Sequence, residues 1–198
     1  MIISALAAAV LTAQTAPPPD PLAGVVLHTD AGDIVLELDQ NRAPVTTCNF
    51  LRYVQAGRYS NATFFRTVVF ETDSNPSNID VVQAATVAGD DDPGFGAIPL
   101  ERTRDTGLTH ASGAVSMARN GPDTATSSFF IVIEDTGNLD FGGDRHPDGQ
   151  GFAAFGRVSS GMEAVRIIHA GTAVDERLTA PVVIREVTII HMPQECRS

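Results

Sequence analysis

Basic side chains are in short supply. The chain of 198 residues carries 13 Lys and Arg against 24 Asp and Glu, a formal charge of −11. A nucleic-acid surface needs clustered cations to neutralise phosphates, so this balance argues against one, and the acidic surplus serves solubility. No G-x-S-x-G turn and no P-loop occurs, which sets aside α/β-hydrolase and NTPase chemistry. His28, His110, His146, His169 and His191 show no ligand-like spacing with one another or with cysteine, so no metal site is expected. The acidic stretches Asp90–Asp92 and Asp140–Asp148 lack EF-hand spacing and read as solvated loops. Internal repeats are absent, and so is βαβ alternation. No tryptophan is present, and only 2 cysteines. Cys48 and Cys196 leave two alternatives open: a disulfide, which an exported chain permits, or one buried helical thiol and one free thiol in a frayed tail.

What is present is the composition of a globular domain, 43% hydrophobic with 19% charged, long enough for one core with a terminal extra. The extra is residues 1–20. Met1–Leu11 is apolar and Ala-rich, Thr12–Ala16 is small and polar, and Pro17–Pro19 is a stiff run. This pattern resembles a secretory signal with a cleavage zone between Ala13 and Pro17, followed by a linker. No Lys or Arg precedes the apolar run, which is too short to span a bilayer. The expectation is export to the periplasm or medium, with no membrane insertion after processing; a cytoplasmic protein with a disordered N-terminus is the alternative. Residues 21–198 form the folded domain.

That domain is rich in short strands. Val25–Thr29 and Ile34–Leu38 flank Asp30-Ala31-Gly32 and read as a hairpin. Pro44 suits the first turn of a helix, Thr47, Phe50, Leu51 and Val54 fall on one face, and Gly57 supplies a stop; the helix is expected over Pro44–Ala56. Further strands are expected at Thr63–Phe70, Ile79–Ala85, Gly113–Ala118, Ser128–Ile133, Phe152–Val158 and Pro181–His191. Between them lie the loops Glu71–Asn78, Thr86–Pro99 and Thr136–Gly151. Ser160-Gly161-Met162-Glu163 has capping-box spacing and opens a second helix to about His169. Many short strands and two helices point to a closed antiparallel barrel, a mainly β fold.

Ser116–Ile131, SMARNGPDTATSSFFI, joins two apolar strands through a polar loop. Backbone hydrogen-bonding groups beside aromatic surface suit an extended peptide better than a metal or a phosphate. Arg66 lies on the strand Phe64-Phe65-Arg66, where simple alternation puts it on the same face as Phe64. By position alone it reads as a solvent-facing arginine on a barrel exterior. By the same standard Phe130 and Leu139 read as core, and Gln83 as an exposed strand polar.

A resemblance changes these readings. Gly32–Arg66, with Gly-Asp-Ile, Ala43-Pro44, Asn49-Phe50, Tyr53-Val54, Gly57, Tyr59 and Phe64-x-Arg66, resembles the N-terminal half of a cyclophilin, most closely the bacterial branch. Ile98–Glu101, Val115–Ala118, Ser127–Ile131, Leu139-Asp140, Phe155–Val158 and Gly161-Met162 continue it in register, over roughly Gly24 to Met192. The resemblance implies an eight-stranded barrel capped by two helices and a peptidyl-prolyl cis-trans isomerase without cofactor or metal. Its substrates would be proline-containing peptides and unfolded clients, acted on by a monomer. It implies Arg66 and Gln83 as the catalytic pair. Phe130 becomes the floor of a proline slot, Leu139 a side, with Val81 nearby. Ala118, Arg119 and Asn120 lie along the substrate backbone, and Phe152 stands where a histidine is common.

Departures from the pattern qualify this expectation. Val69–Ile79 replaces the short segment usual in the family after the arginine strand and is about nine residues longer, extending the loop that connects one strand to the next. The aromatic expected before Gln83 is replaced by Asp80, unless Phe70 folds back to take its place. Ser128 stands where a glutamine is common. With no tryptophan, and with Asn138 near the position used by drug-sensitive members, weak cyclosporin binding is expected. The insertion favours the alternative of a proline-peptide binding module or chaperone with little turnover.

Overall fold

The computed structural model describes residues 21–89 and 93–197. The expected signal and linker, residues 1–20, and the acidic run Asp90–Asp92 lie outside the described residues. The first hairpin forms from β1 (Ala23–Thr29) and β2 (Gly32–Leu38), with Thr29 opposite Gly32 across a two-residue turn. Then come β3 (Ala62–Val68), β4 (Val81–Ala85), β5 (Ala114–Met117), β6 (Phe129–Val132), β7 (Ala153–Ser160), β8 (Ala173–Val174) and β9 (Arg177–His191). The strand order is β1-β2-β7-β5-β6-β4-β3-β9, every pair is antiparallel, and β9 returns to β1. Eight strands therefore close a barrel, which leaves no open edge among them. The two-residue β8 pairs only with the start of β9 as a short hairpin outside the ring.

Alternation decides which side chains fill the barrel. Phe64, Val82, Ala84, Val115, Met117, Phe129, Ile131 and Phe155 belong to one buried cluster. Phe129 meets Phe50 and Tyr59 edge-on at 5.3 and 5.6 Å, a geometry that the quadrupoles of aromatic rings favour. A second, smaller cluster of Val68, Ile79, Val81, Phe130, Val132 and Leu139 sits on the outer face of the same strands.

Helix α1 (Pro44–Gln55) carries Pro at its first turn and presents Phe50, Leu51 and Val54 to the core. Its N-cap residue Ala43 has no capping side chain. The carboxylate of Glu101 does that work from outside the helix, accepting from Val45 N at 3.1 Å and Thr46 N at 2.7 Å. An anion here satisfies two orphan donors and meets the positive end of the helix dipole. Glu101→Ala is expected to lower stability by about 1 kcal/mol, read as a lower urea midpoint at unchanged slope; an unchanged midpoint would show that solvent caps the helix equally well.

Helix α3 (Met162–His169) starts one residue later than the capping-box pattern predicts. Gly161, not Ser160, is its N-cap, with φ +94° and no side-chain cap. A Cβ at Gly161 would lie 2.2 Å from Asp33 O, so close approach to β2 selects glycine and the Ser160 cap is not formed. A third helix, the single turn α2 (Thr103–Thr106), was not expected from sequence. Cys48 on α1 is disulfide-bonded to Cys196 in the C-terminal tail, with Cα atoms 4.8 Å apart, which settles the alternatives left open above.

Candidate functional site

The outer face of β3, β4 and β6 carries a pocket of about 230 Å³. All nine residues expected at the site line it: Arg66, Gln83, Val81, Ala118, Arg119, Asn120, Phe130, Leu139 and Phe152. Its size suits one ring-sized side chain rather than a whole small-molecule ligand, for which several hundred Å³ is usual.

A β-bulge places Arg66. Phe64 pairs with Ala84 and Arg66 with Gln83, so two steps on β3 match one on β4. Cross-strand partners share a face. Phe64 and Ala84 therefore point into the barrel, and Arg66 and Gln83 point out into the pocket. The expectation that Arg66 shares a face with Phe64 is thus overturned: the extra residue, Phe65, reverses the alternation and re-aims the arginine.

The guanidinium is held on two sides. Nη1 donates to Gln83 Oε1 at 2.8 Å, and Nε and Nη2 both donate to Glu176 Oε2, Nε at 2.9 Å. Gln83 is itself fixed, because its Nε2 donates to Ser128 Oγ at 3.0 Å and Ser128 donates onward to Ala84 O. Ser128, in place of a longer side chain, thus orients the Gln83 amide so that its oxygen faces Arg66. Gln83 is 4% exposed, so an unpaired amide there would be costly and the network is well determined.

Phe130 forms the floor of the pocket. Phe152 meets it edge-on at 5.7 Å, and His110 stacks parallel at 6.0 Å behind it. His110 Nδ1–H donates to Asp140 Oδ1 at 2.7 Å, and its Nε2 lies 2.9 Å from Ser116 Oγ. These three residues have the types of a Ser-His-Asp triad, but Ser116 is completely buried and no acyl group can reach it. The set supports the floor instead, and Asp140 fixes the turn that presents Leu139.

Arg119 pins the 140–151 loop against the pocket. Its side chain is 1% exposed and makes a two-pronged ion pair with Asp148 at 2.7 and 2.9 Å. Nε donates to Gly151 O, and the guanidinium lies 4.8 Å from the centre of the Phe152 ring. The Arg119 hydrogen bonds hold the Asp148 carboxyl well below the usual carboxylate range; burial opposes this, and Gln150 N and His146 add to it. A carboxyl depressed by folding contributes stability that is complete above its unfolded value, about 3.9, and fades as pH falls below it. Wild type should therefore melt higher than Asp148→Asn at neutral pH, and the gap should close in acid below pH ~4; a gap independent of pH would remove the ion pair as its cause.

The peptide-side residues need one refinement. Ala118 N donates to Ser128 O, and Asn120 N to Thr124 Oγ1. Both backbone donors are engaged within the protein, so an extended peptide laid here would meet their carbonyl oxygens instead.

The 69–79 segment supplies a wall. Phe70 does not fold back into the pocket: it is half exposed, and its N–H donates to Asp80 Oδ1. Ile79 lines the pocket beside Val81 instead, an apolar replacement for the missing aromatic. The segment is tied down by Asp73, whose carboxylate is fully buried, accepts from Asn75 N and Ile79 N, and pairs with Arg145 of the opposite loop. Asn138 adds a bond to Asn78 O. Sequence reasoning missed Ile79, Arg145, His146 and Glu176 at the site. Only Ile79, next to Val81 on an expected strand, carried a local signal.

Comparison with known proteins gives this geometry its context. Residues 24–189 match the family described as cyclophilin type peptidyl-prolyl cis-trans isomerase/CLD. Peptidyl-prolyl cis-trans isomerase cyp18 of Streptomyces antibioticus is 38% identical over 146 residues, 73% of this chain and 81% of that protein. Peptidyl-prolyl cis-trans isomerase A of Dickeya dadantii is 38% identical over 141 residues, 70% and 67% of the two. In fold, the chain is similar to the crystal structure of a Cryptosporidium parvum cyclophilin type isomerase, with a TM-score of 0.71 at 22% identity, covering 87% of this chain and 99% of that one. A shared fold, a family match along most of its length and relatives 38% identical over 70% or more of it lead to one conclusion: this chain belongs to the cyclophilin-type peptidyl-prolyl cis-trans isomerase family.

Proposed function

We propose that the protein accelerates cis–trans exchange at Xaa-Pro bonds of folding clients, and that Arg66 stabilises the twisted amide. The observation that carries this is a guanidinium fixed by Gln83 and Glu176 at the edge of an apolar pocket floored by Phe130. Amide resonance sets a barrier of about 18–20 kcal/mol, and uncatalysed exchange takes tens to hundreds of seconds. Twisting the bond breaks the resonance and returns a lone pair to the prolyl nitrogen. A donor aimed at that nitrogen meets an acceptor only in the twisted state, so its effect falls on the transition state and not on the bound substrate. A guanidinium has five N–H groups. The bonds to Gln83 and Glu176 occupy one on each of the three nitrogens, which leaves two for the substrate. Phe130, Leu139, Val81 and Ile79 hold the proline ring, and no nucleophile, metal or cofactor enters this scheme.

A protease-coupled assay on an Xaa-Pro peptide tests the proposal. The expected result is a rate above buffer that scales with protein concentration. A rate equal to buffer, with saturable binding of the same peptide, would replace the enzyme with a proline-peptide binding module. We further propose that the protein works as a monomer outside the cytoplasm, in the periplasm or medium, after signal cleavage between Ala13 and Pro17. The disulfide supports that compartment. Sequencing the N-terminus of native protein checks it, and an intact Met1 would rule out processing.

A further inference from the structure

Glu176 sits at the tip of the β8–β9 hairpin, 110 residues from Arg66 along the chain, yet it takes two of the guanidinium's hydrogen bonds. Val174 pairs with Arg177, so the turn between them consists of Asp175 and Glu176 alone. Both are left-handed, with φ +49° and +63°. Two-residue turns of this kind favour Asn or Asp followed by Gly, and a left-handed Glu is disfavoured by the clash of its Cβ with the backbone. Glycine would relax the turn, so a glutamate here is explained by its side chain rather than by its backbone. The side chain is only 26% exposed and its partner 32%.

The turn is also docked against the strand that carries Arg66. Thr67 N donates to Glu176 O at 2.9 Å. Arg177 lies opposite Arg66 across the β3–β9 pair, with its guanidinium 5.3 Å from the centre of the Phe65 ring. Gln83 alone fixes only Nη1, and a planar fork held at one corner can still swing. Glu176 grips the Nε and Nη2 edge, and with both partners in place the plane of the fork is set.

We infer that Glu176 is a positioning residue for the isomerase reaction: it orients Arg66 without touching the substrate. This rests on the functional reading above. The expected result for Glu176→Gly is a melting temperature equal to or above that of wild type with kcat/KM lower by about ten- to a hundred-fold, the scale of a misplaced reacting group. The loss should fall on kcat with KM nearly unchanged. Glu176→Gln, which keeps an acceptor oxygen, should recover part of it. In an Arg66→Ala background, Glu176→Gly should cause no further loss, because the two act as a unit. In nitrogen-15 spectra the Arg66 Nε–H signal should be sharp in wild type and broadened in Glu176→Gly.

The outcomes separate cleanly. An active wild type with Glu176→Gly as active or more active overturns the positioning role and leaves the isomerase reading intact. A loss of activity that parallels a loss of stability, or that adds fully to Arg66→Ala, also overturns it. A wild type no faster than buffer removes the isomerase reading itself, and the positioning role with it.

Discussion

Arg66→Ala is expected to lose about two to three orders of magnitude in kcat/KM on an Xaa-Pro peptide, the loss typical of removing one preorganised donor at a transition state. Peptide binding should change little, because the proline slot is built from Phe130, Leu139, Val81 and Ile79 and alanine disturbs none of them. The fold should also survive. Arg66 is about one-third exposed and Glu176 one-quarter, so water can solvate the carboxylate left behind. Arg66→Lys separates charge from geometry. Lysine keeps the positive charge but presents a single ammonium in place of the fork that reaches Gln83, Glu176 and the substrate together. If the field of the charge were the working element, lysine would restore most of the rate. If directed hydrogen bonding is, lysine should stay close to alanine, and this is the expected result. A loss of less than about three-fold for Arg66→Ala would be far below the donor range and would sink the arginine mechanism.

The parts of this site visible in the sequence are those whose signal is local. Pro44, the apolar spacing through Val54 and Gly57 mark α1, and alternation marks most strands. Phe129 belongs to the core and Phe130 to the outer pocket because adjacent strand residues face opposite ways. The same rule fails at Arg66, since the bulge at Phe65 is a property of pairing with β4 and leaves no mark on Phe64-Phe65-Arg66 itself. Glu176 was invisible for a different reason. Its role depends on barrel closure, which brings the β8–β9 hairpin beside β3, and the pair Asp175-Glu176 lacks the glycine that usually announces such a turn. A loop between β3 and β4 was expected and is present, but its effect was not readable. Whether it opens or completes the pocket depends on the Asp73–Arg145 pair, a contact between two loops about 70 residues apart.

The Cys48–Cys196 bond should show the largest effect on stability, with little effect on chemistry. The cysteines are 148 residues apart, so the cross-link restrains most of the unfolded chain. The loop-entropy relation gives about 5 kcal/mol for a loop of this length, and measured disulfides more often contribute about 2–4. Two effects compete on the folded side. The tail after β9 is held by a single 3-10 turn, Gln194–Cys196, and can fray when released, which would confine the loss to one end. Cys196, however, is 6% exposed and belongs to the main apolar cluster, so release also exposes part of the base of α1. Both routes destabilise, and the unfolded-state term operates whichever one dominates. The double variant Cys48→Ala, Cys196→Ala should therefore melt about 5–15 °C lower, from ~2–4 °C per kcal/mol for a domain of this size. Its isomerase rate at 25 °C should match wild type, since neither cysteine lines the pocket that holds Arg66. Reducing agent should lower wild type to the melting temperature of the variant and leave the variant itself unmoved. A shift under about 1 °C would mean that the unfolded chain is already compact enough for the cross-link to restrain nothing, and it would leave the bond as a mark of compartment rather than a source of stability.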